Sequence, residues 1–143
     1  FGKFYLARFG DAIPDLKRAA RLRPKSYYPA IWLYLAQARV GGNGRADLKR
    51  AARNLDLKKW PGPVVSMFLG RVDPQQVLAQ ANDGDAKKQR EQRTGATFYV
   101  GQYHLIRGSR GKAKAQFLAT LELGVKNFIE YMGARAELAR MAK

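Results

Sequence analysis

Cysteine is absent, so no disulfide framework and no cysteine-based metal site can form. That absence suits an oxidising envelope and a reducing cytosol alike. Histidine occurs once, at His104, and Asp and Glu together number only 11 in 143 residues. The acids are scattered, which argues against a paired acid/base site. No apolar run approaches the roughly 18 residues needed to cross a bilayer, and no signal peptide is in view. Val, Ile and Thr are sparse and alternate over no long stretch, so the pattern of a half-buried sheet is missing. The HExxH, P-loop and GxSxG signatures are missing too. Gly41-Gly42-Asn43-Gly44 has no strand before it and no Lys-Ser/Thr after it, so it reads as a turn and not a phosphate loop. His104 falls where a helix packs on its neighbour; a catalytic base there needs an orienting partner and a nucleophile, and neither is evident. No enzyme activity, metal or cofactor is expected.

What is present is helix-forming. Hydrophobic residues make up 46% and are spread along the whole length, enough for a real core. Ala, Leu, Arg and Lys dominate, all strong helix formers. The net charge is +16, from 27 Lys and Arg against 11 Asp and Glu. Lys17, Arg18, Arg21, Arg23 and Lys25 follow one segment, Lys49, Arg50 and Arg53 another, and Lys87, Lys88, Arg90 and Arg93 a third. These are mostly the polar positions of amphipathic helices, which gives a solvated basic face. The alternative is a surface for nucleic acid or another anionic polymer.

Punctuation divides the chain. Residues 1–9 read as the end of a helix and Gly10-Asp11 as a turn, with Asp11 capping a helix that Leu22-Arg23-Pro24 ends. Pro14 is placed in that helix's first turn. A helix over 28–40 and a second over 45–56 follow. Trp60-Pro61-Gly62-Pro63 is the sharpest break, leading to a short helix over 63–69. Asp73-Pro74 reads as cap and first residue of another, through about Ala81. A long helix is predicted over 85–107, a partner over 112–123 with Gly124 just past its end, and a last helix over 127–141. The chain opens at Phe1 without initiator Met, which predicts a piece of a longer protein whose leader or lipid anchor lies elsewhere.

One spacing occurs twice. Ala12, Leu16, Ala19 and Pro24 stand at offsets 0, +4, +7 and +12. Ala113, Phe117 and Thr120 repeat the first three, with Gly101 twelve residues before Ala113. This resembles the tetratricopeptide (TPR) repeat, a helix-turn-helix unit of about 34 residues. Small residues stand where two helices approach closely, and Leu16 and Phe117 plug the gap toward the next repeat. Val125 in place of Pro, and Thr120 in place of the usual Ala, are mild departures. The expected fold class is therefore all-α, a TPR-like helical-hairpin superhelix (a right-handed α-solenoid) forming a single domain over 1–143. Its parts are a partial first repeat (1–24), a drifted second repeat (27–57), a Trp-Pro-Gly-Pro turn with short helices (60–83), a last repeat (85–124) and a capping helix (127–141).

Longer stretches carry a closer resemblance. YYPAIWLYLAQARVG at 27–41, LDLKKWPGPVVSMFLG at 55–70 and FYVGQYHLIRGSRGKAKAQFLATLELGVKNFIEYMGARAEL at 98–138 resemble the NlpI-like TPR lipoproteins of the bacterial envelope. The resemblance implies a non-enzymatic adaptor or scaffold in the envelope or periplasm, often dimeric, that docks proteases or peptidoglycan hydrolases. It implies a membrane link only through an N-terminal anchor. The strong positive charge is not part of what the resemblance implies, and a cytoplasmic location is the alternative.

In a TPR the first helix of each pair lines the concave groove. Counting from Gly101, Phe98, Gln102 and Leu105 face that groove and form a candidate peptide-binding patch. Tyr99 and Tyr103 on the same helix are either inter-helix packing or part of the patch. Tyr28, Trp32 and Tyr34, with Tyr27, form a second aromatic cluster open to the same two readings. The Lys/Asn set by which some TPRs clamp a C-terminal carboxylate is missing at these places.

Overall fold

The computed structural model describes residues 9–142. Among them are eight helices and no strand, an all-α arrangement consistent with a helical-hairpin, TPR-like fold. Contacts gather into two compact units, divided between Val72 and Asp73, where the sequence suggests one domain. The division falls in a short non-helical link that ends when Asp73 caps the next helix.

The first unit contains α1 (Phe9–Leu22), α2 (Tyr27–Arg39), α3 (Arg45–Ala52) and α4 (Gly62–Phe68). Helix α2 is its axis. It packs on α1, α3 and α4, which is why it is apolar around most of its circumference, with Ile31, Trp32, Leu33, Leu35 and Ala36 all buried. Helix α4 is buried at every position, and Tyr34 of α2 lies over Phe68 with ring centroids 4.8 Å apart. Helix α1 differs from expectation at its start. Gly10 and Asp11 are helical rather than a turn, and Pro14 stands inside the helix, away from its first turn. The helix end expected over residues 1–9 lies outside the described residues, apart from Phe9, which opens α1.

The second unit contains α5 (Pro74–Gln80), α6 (Ala86–Ile106), α7 (Arg110–Leu123) and α8 (Ile129–Met141). Two of its helix starts are fixed by side chains. Asp73 accepts from the Gln76 amide at 2.9 Å while the Gln76 side chain accepts from the Asp73 amide at 2.8 Å, a reciprocal capping box. Asp85 accepts from the Lys88 amide at 2.9 Å. Gly124 ends α7 with φ of 71°, a left-handed conformation that a side chain resists.

Helices α6 and α7 form a close hairpin. Gly101 is buried, and a Cβ at its position would stand 2.6 Å from the Phe117 ring, so a glycine is what lets the ring seat. Phe98, Ala113, Phe117 and Thr120 have no exposed surface. Thr120, unusual for a TPR at this place, sets its hydroxyl 2.8 Å from that of Thr97 across the hairpin. Each hydroxyl also reaches a carbonyl of its own helix, Arg93 for Thr97 and Gln116 for Thr120. The hydroxyl of buried Thr120 is thus satisfied, which removes the penalty of an unpartnered group.

Candidate functional site

The aromatic residues singled out from sequence do not form one open patch. Phe98 and Tyr99 are fully buried and Gln102 is 1% exposed, which corrects the expectation that this face of α6 lies open. Phe98 packs on Phe117 of α7, ring centroids 5.9 Å apart, and α8, which packs on both α6 and α7, covers Tyr99 and Gln102. Tyr99 donates to the Glu130 carboxylate at 2.8 Å, and the Gln102 amide donates to Glu137 at 2.8 Å. Both acceptors sit on α8, so the last helix occupies the surface a peptide would need. Leu105 is half-buried near the end of α6. Tyr103 is half-buried beneath Arg107, whose guanidinium stands 4.4 Å from the ring centroid.

On α2 the second cluster separates by side. Trp32 is buried, which corrects its assignment to an open groove, because α2 is enclosed by its three neighbours. Tyr34 is half-buried on Phe68, Tyr27 donates to the Asp56 carbonyl at 2.7 Å, and Tyr28 keeps 42% of its surface exposed.

The repeat-ruler residues divide between the units. Gly101, Ala113, Phe117 and Thr120 are buried. Ala12, Leu16 and Ala19 are half-buried, and Pro24 is exposed.

His104 is half-buried with its ring edge-on to Tyr103, centroids 5.5 Å apart. Burial lowers its pKa below the ordinary 6.5, and the charges of Lys112 and Arg107 lower it further. Those cations oppose the imidazolium that a general base must become. Among the described residues no cluster of three or more His, Asp or Glu is placed to hold a metal, and no helix is long and apolar enough to cross a membrane.

What sequence reasoning missed is a groove in the first unit. Helices α1, α2 and α3 enclose a depression of about 440 Å³. Its floor is aliphatic, with Ala20, Ala30, Leu33 and Ala51. Its rim carries Lys17 and Arg21, one turn apart on α1, and Arg50 on α3. The one carboxylate on the lining is Asp47. Its pKa is lowered chiefly by the hydrogen bond from the Gln37 amide at 3.0 Å, against the opposing effect of burial, with Arg50 and Lys17 lowering it further. Arg50 pairs with Asp47 at 3.0 Å while 70% of its side chain stays exposed. The charge is uneven along the chain as well. Residues 1–72 carry 15 Lys and Arg against 4 Asp and Glu, a net +11, whereas residues 73–143 carry 12 against 7, a net +5. The sequence signal for the groove was the i, i+4 pair Lys17 and Arg21 beside Ala20, which also fits a plain solvated face.

The chain is 26% identical over 141 residues to the lipoprotein NlpI homolog of Haemophilus influenzae, a match that covers 96% of this chain. It spans about half the length of that curated relative, 45%. No family model matches the chain. Similarity over nearly every residue, together with the helical hairpins, is consistent with an NlpI-like TPR protein.

Proposed function

We propose that this chain is a non-enzymatic adaptor of the bacterial cell envelope that binds protein segments on its helical hairpins. The observation that carries the reading is the 96% coverage of this chain by its similarity to a lipoprotein NlpI homolog, on a scaffold of paired helices. Paired helices stacked this way present side-chain surface and do not need a reaction centre. The partners we propose are envelope proteases or peptidoglycan hydrolases, brought together or regulated by the adaptor. Of the two candidate clusters, Tyr28 is exposed and Tyr27, Tyr34, Tyr103 and Leu105 are half-buried, and these keep surface for such contacts.

Affinity capture from an envelope extract tests this reading. Retrieval of a protease or peptidoglycan hydrolase is the expected result; a well-folded chain that retrieves neither at any salt concentration contradicts it. The net charge of +16 favours a second reading, an adaptor for nucleic acid or another anionic polymer. That reading requires DNA or RNA binding at about 50 mM salt that falls steeply as salt rises.

A further inference from the structure

We infer that the groove between α1, α2 and α3 seats an acidic peptide segment of a partner protein, with an aliphatic side chain on its floor. The inference rests on the adaptor reading and names the chemistry of the partner. Charge complementarity argues for it. Lys17, Arg21 and Arg50 face the depression against the single carboxylate of Asp47, leaving a rim charge of +2. Asp47 does not cancel the site. It is held ionised by the Gln37 amide and anchors Arg50 on the rim while most of the Arg50 side chain remains open.

Geometry agrees with an extended peptide. Residues one helical turn apart, as Lys17 and Arg21 are, have Cβ atoms about 5–6 Å apart. Alternate residues of an extended strand lie about 6.5–7 Å apart. Two carboxylates at i and i+2 therefore reach both cations. The floor of Ala20, Ala30, Leu33 and Ala51 is apolar and small, suited to one aliphatic side chain. Nucleic acid fits less well. No aromatic residue lines the groove, so a single strand has no stacking platform there. Three rim cations in so narrow a space are far from the run of phosphate contacts a duplex uses.

The test uses the whole chain and a fluorescently labelled peptide, Gly-Ser-Glu-Ser-Glu-Ser-Leu-Gly, whose two Glu and one Leu share a face of the extended strand, read by anisotropy. Replacing both Glu by Gln, or the Leu by Ser, is expected to weaken binding. On the protein, Lys17→Gln with Arg21→Gln is expected to weaken binding about tenfold, as for loss of close interfacial charge pairs. Ala51→Phe fills the groove without changing charge, and a loss of about the same size is expected from steric exclusion alone. Should Ala51→Phe unfold the unit, Asn54→Trp at the exposed lining of the groove makes the same test. Lys87→Gln with Lys88→Gln, exposed in the second unit, should change affinity by no more than about twofold, the scale of exposed charges. Circular dichroism verifies folding of each variant.

Equal loss from the Lys87/Lys88 variant, or full binding by both groove-filling variants, overturns the groove and leaves the adaptor reading standing. An oligonucleotide that displaces the peptide and is itself lost with Ala51→Phe makes nucleic acid the occupant and overturns the proposal. A chain that binds neither this peptide nor any envelope protease or hydrolase loses both readings.

Discussion

Helices α1 and α7 carry one spacing and are buried differently. In the α6–α7 hairpin, Ala113, Phe117 and Thr120 have no exposed surface. On α1, Ala12, Leu16 and Ala19 are half-buried, and Pro24 just beyond it is exposed. Within the second unit α8 lies on both members of the pair, and the buried Gln102–Glu137 hydrogen bond ties it down. Side-chain caps occur at two helix starts, Asp73 for α5 and Asp85 for α6, whereas Ser26, Gly44, Ser109 and Phe128 at the starts of α2, α3, α7 and α8 offer none. Residues 1–72 meanwhile carry more than twice the net charge of residues 73–143. The spacing therefore specifies that two helices pair. On α7 the spaced residues meet Gly101, Phe98 and Thr97 of α6, and the less buried helix, α1, is the one beside the basic groove.

The largest effect that sharpens this contrast comes from the same ruler position on the two helices. Phe117→Ala should cost about 3–5 kcal/mol of unfolding free energy, the usual range for a fully buried ring. Leu16→Ala should cost only about 1 kcal/mol, because its side chain is already part-solvated. Chemical denaturation of both variants measures this; equal costs would break the comparison. Next in size is Gly101→Ala. Pushing a Cβ against the Phe117 ring should cost about 1–3 kcal/mol of overpacking, offset by up to about 1 kcal/mol of helix propensity. Adding Phe117→Leu to Gly101→Ala should recover part of the loss in a double-mutant cycle, since the two sites share one contact.

Helix caps give a smaller difference. Asp73→Ala should lose about 1 kcal/mol and Ser26→Ala close to none, read from the same denaturation curves, since only Asp73 makes a cap bond. The smallest effect is acid sensitivity at His104. Its folded pKa is below the ordinary 6.5, so between those two values the unfolded chain binds more protons than the folded one. Stability from the neutral ring is intact above about 6.5 and declines as pH falls toward the folded value. His104→Gln should flatten that part of the pH–stability curve, and an unchanged slope would remove His104 as its source.

Local signals in the sequence were sufficient for most of the fold. Asp73-Pro74, Asp85 and Gly124 mark helix ends through their own side-chain or backbone chemistry, and those ends lie at or beside the expected positions. The close approach at Gly101 was legible because only a missing side chain lets a ring sit there. Gly10-Asp11 misled, since a glycine and a good cap residue also tolerate a helix interior. The site was harder to read. The face carrying Phe98 and Gln102 looks open when α6 is considered alone, and its burial depends on α7 and on α8, which begins more than twenty residues later. The groove depends on three helices at once, and the residues on its rim have the same periodicity as an ordinary solvated surface.

The claim that binding resides in the basic first unit is tested most directly by nuclear magnetic resonance of the isotope-labelled chain titrated with the acidic peptide. The account predicts that the amide shifts concentrate on α1 and α3 around Lys17, Arg21 and Arg50. Shifts concentrated on the α6–α7 hairpin, or spread evenly over both units, would contradict it.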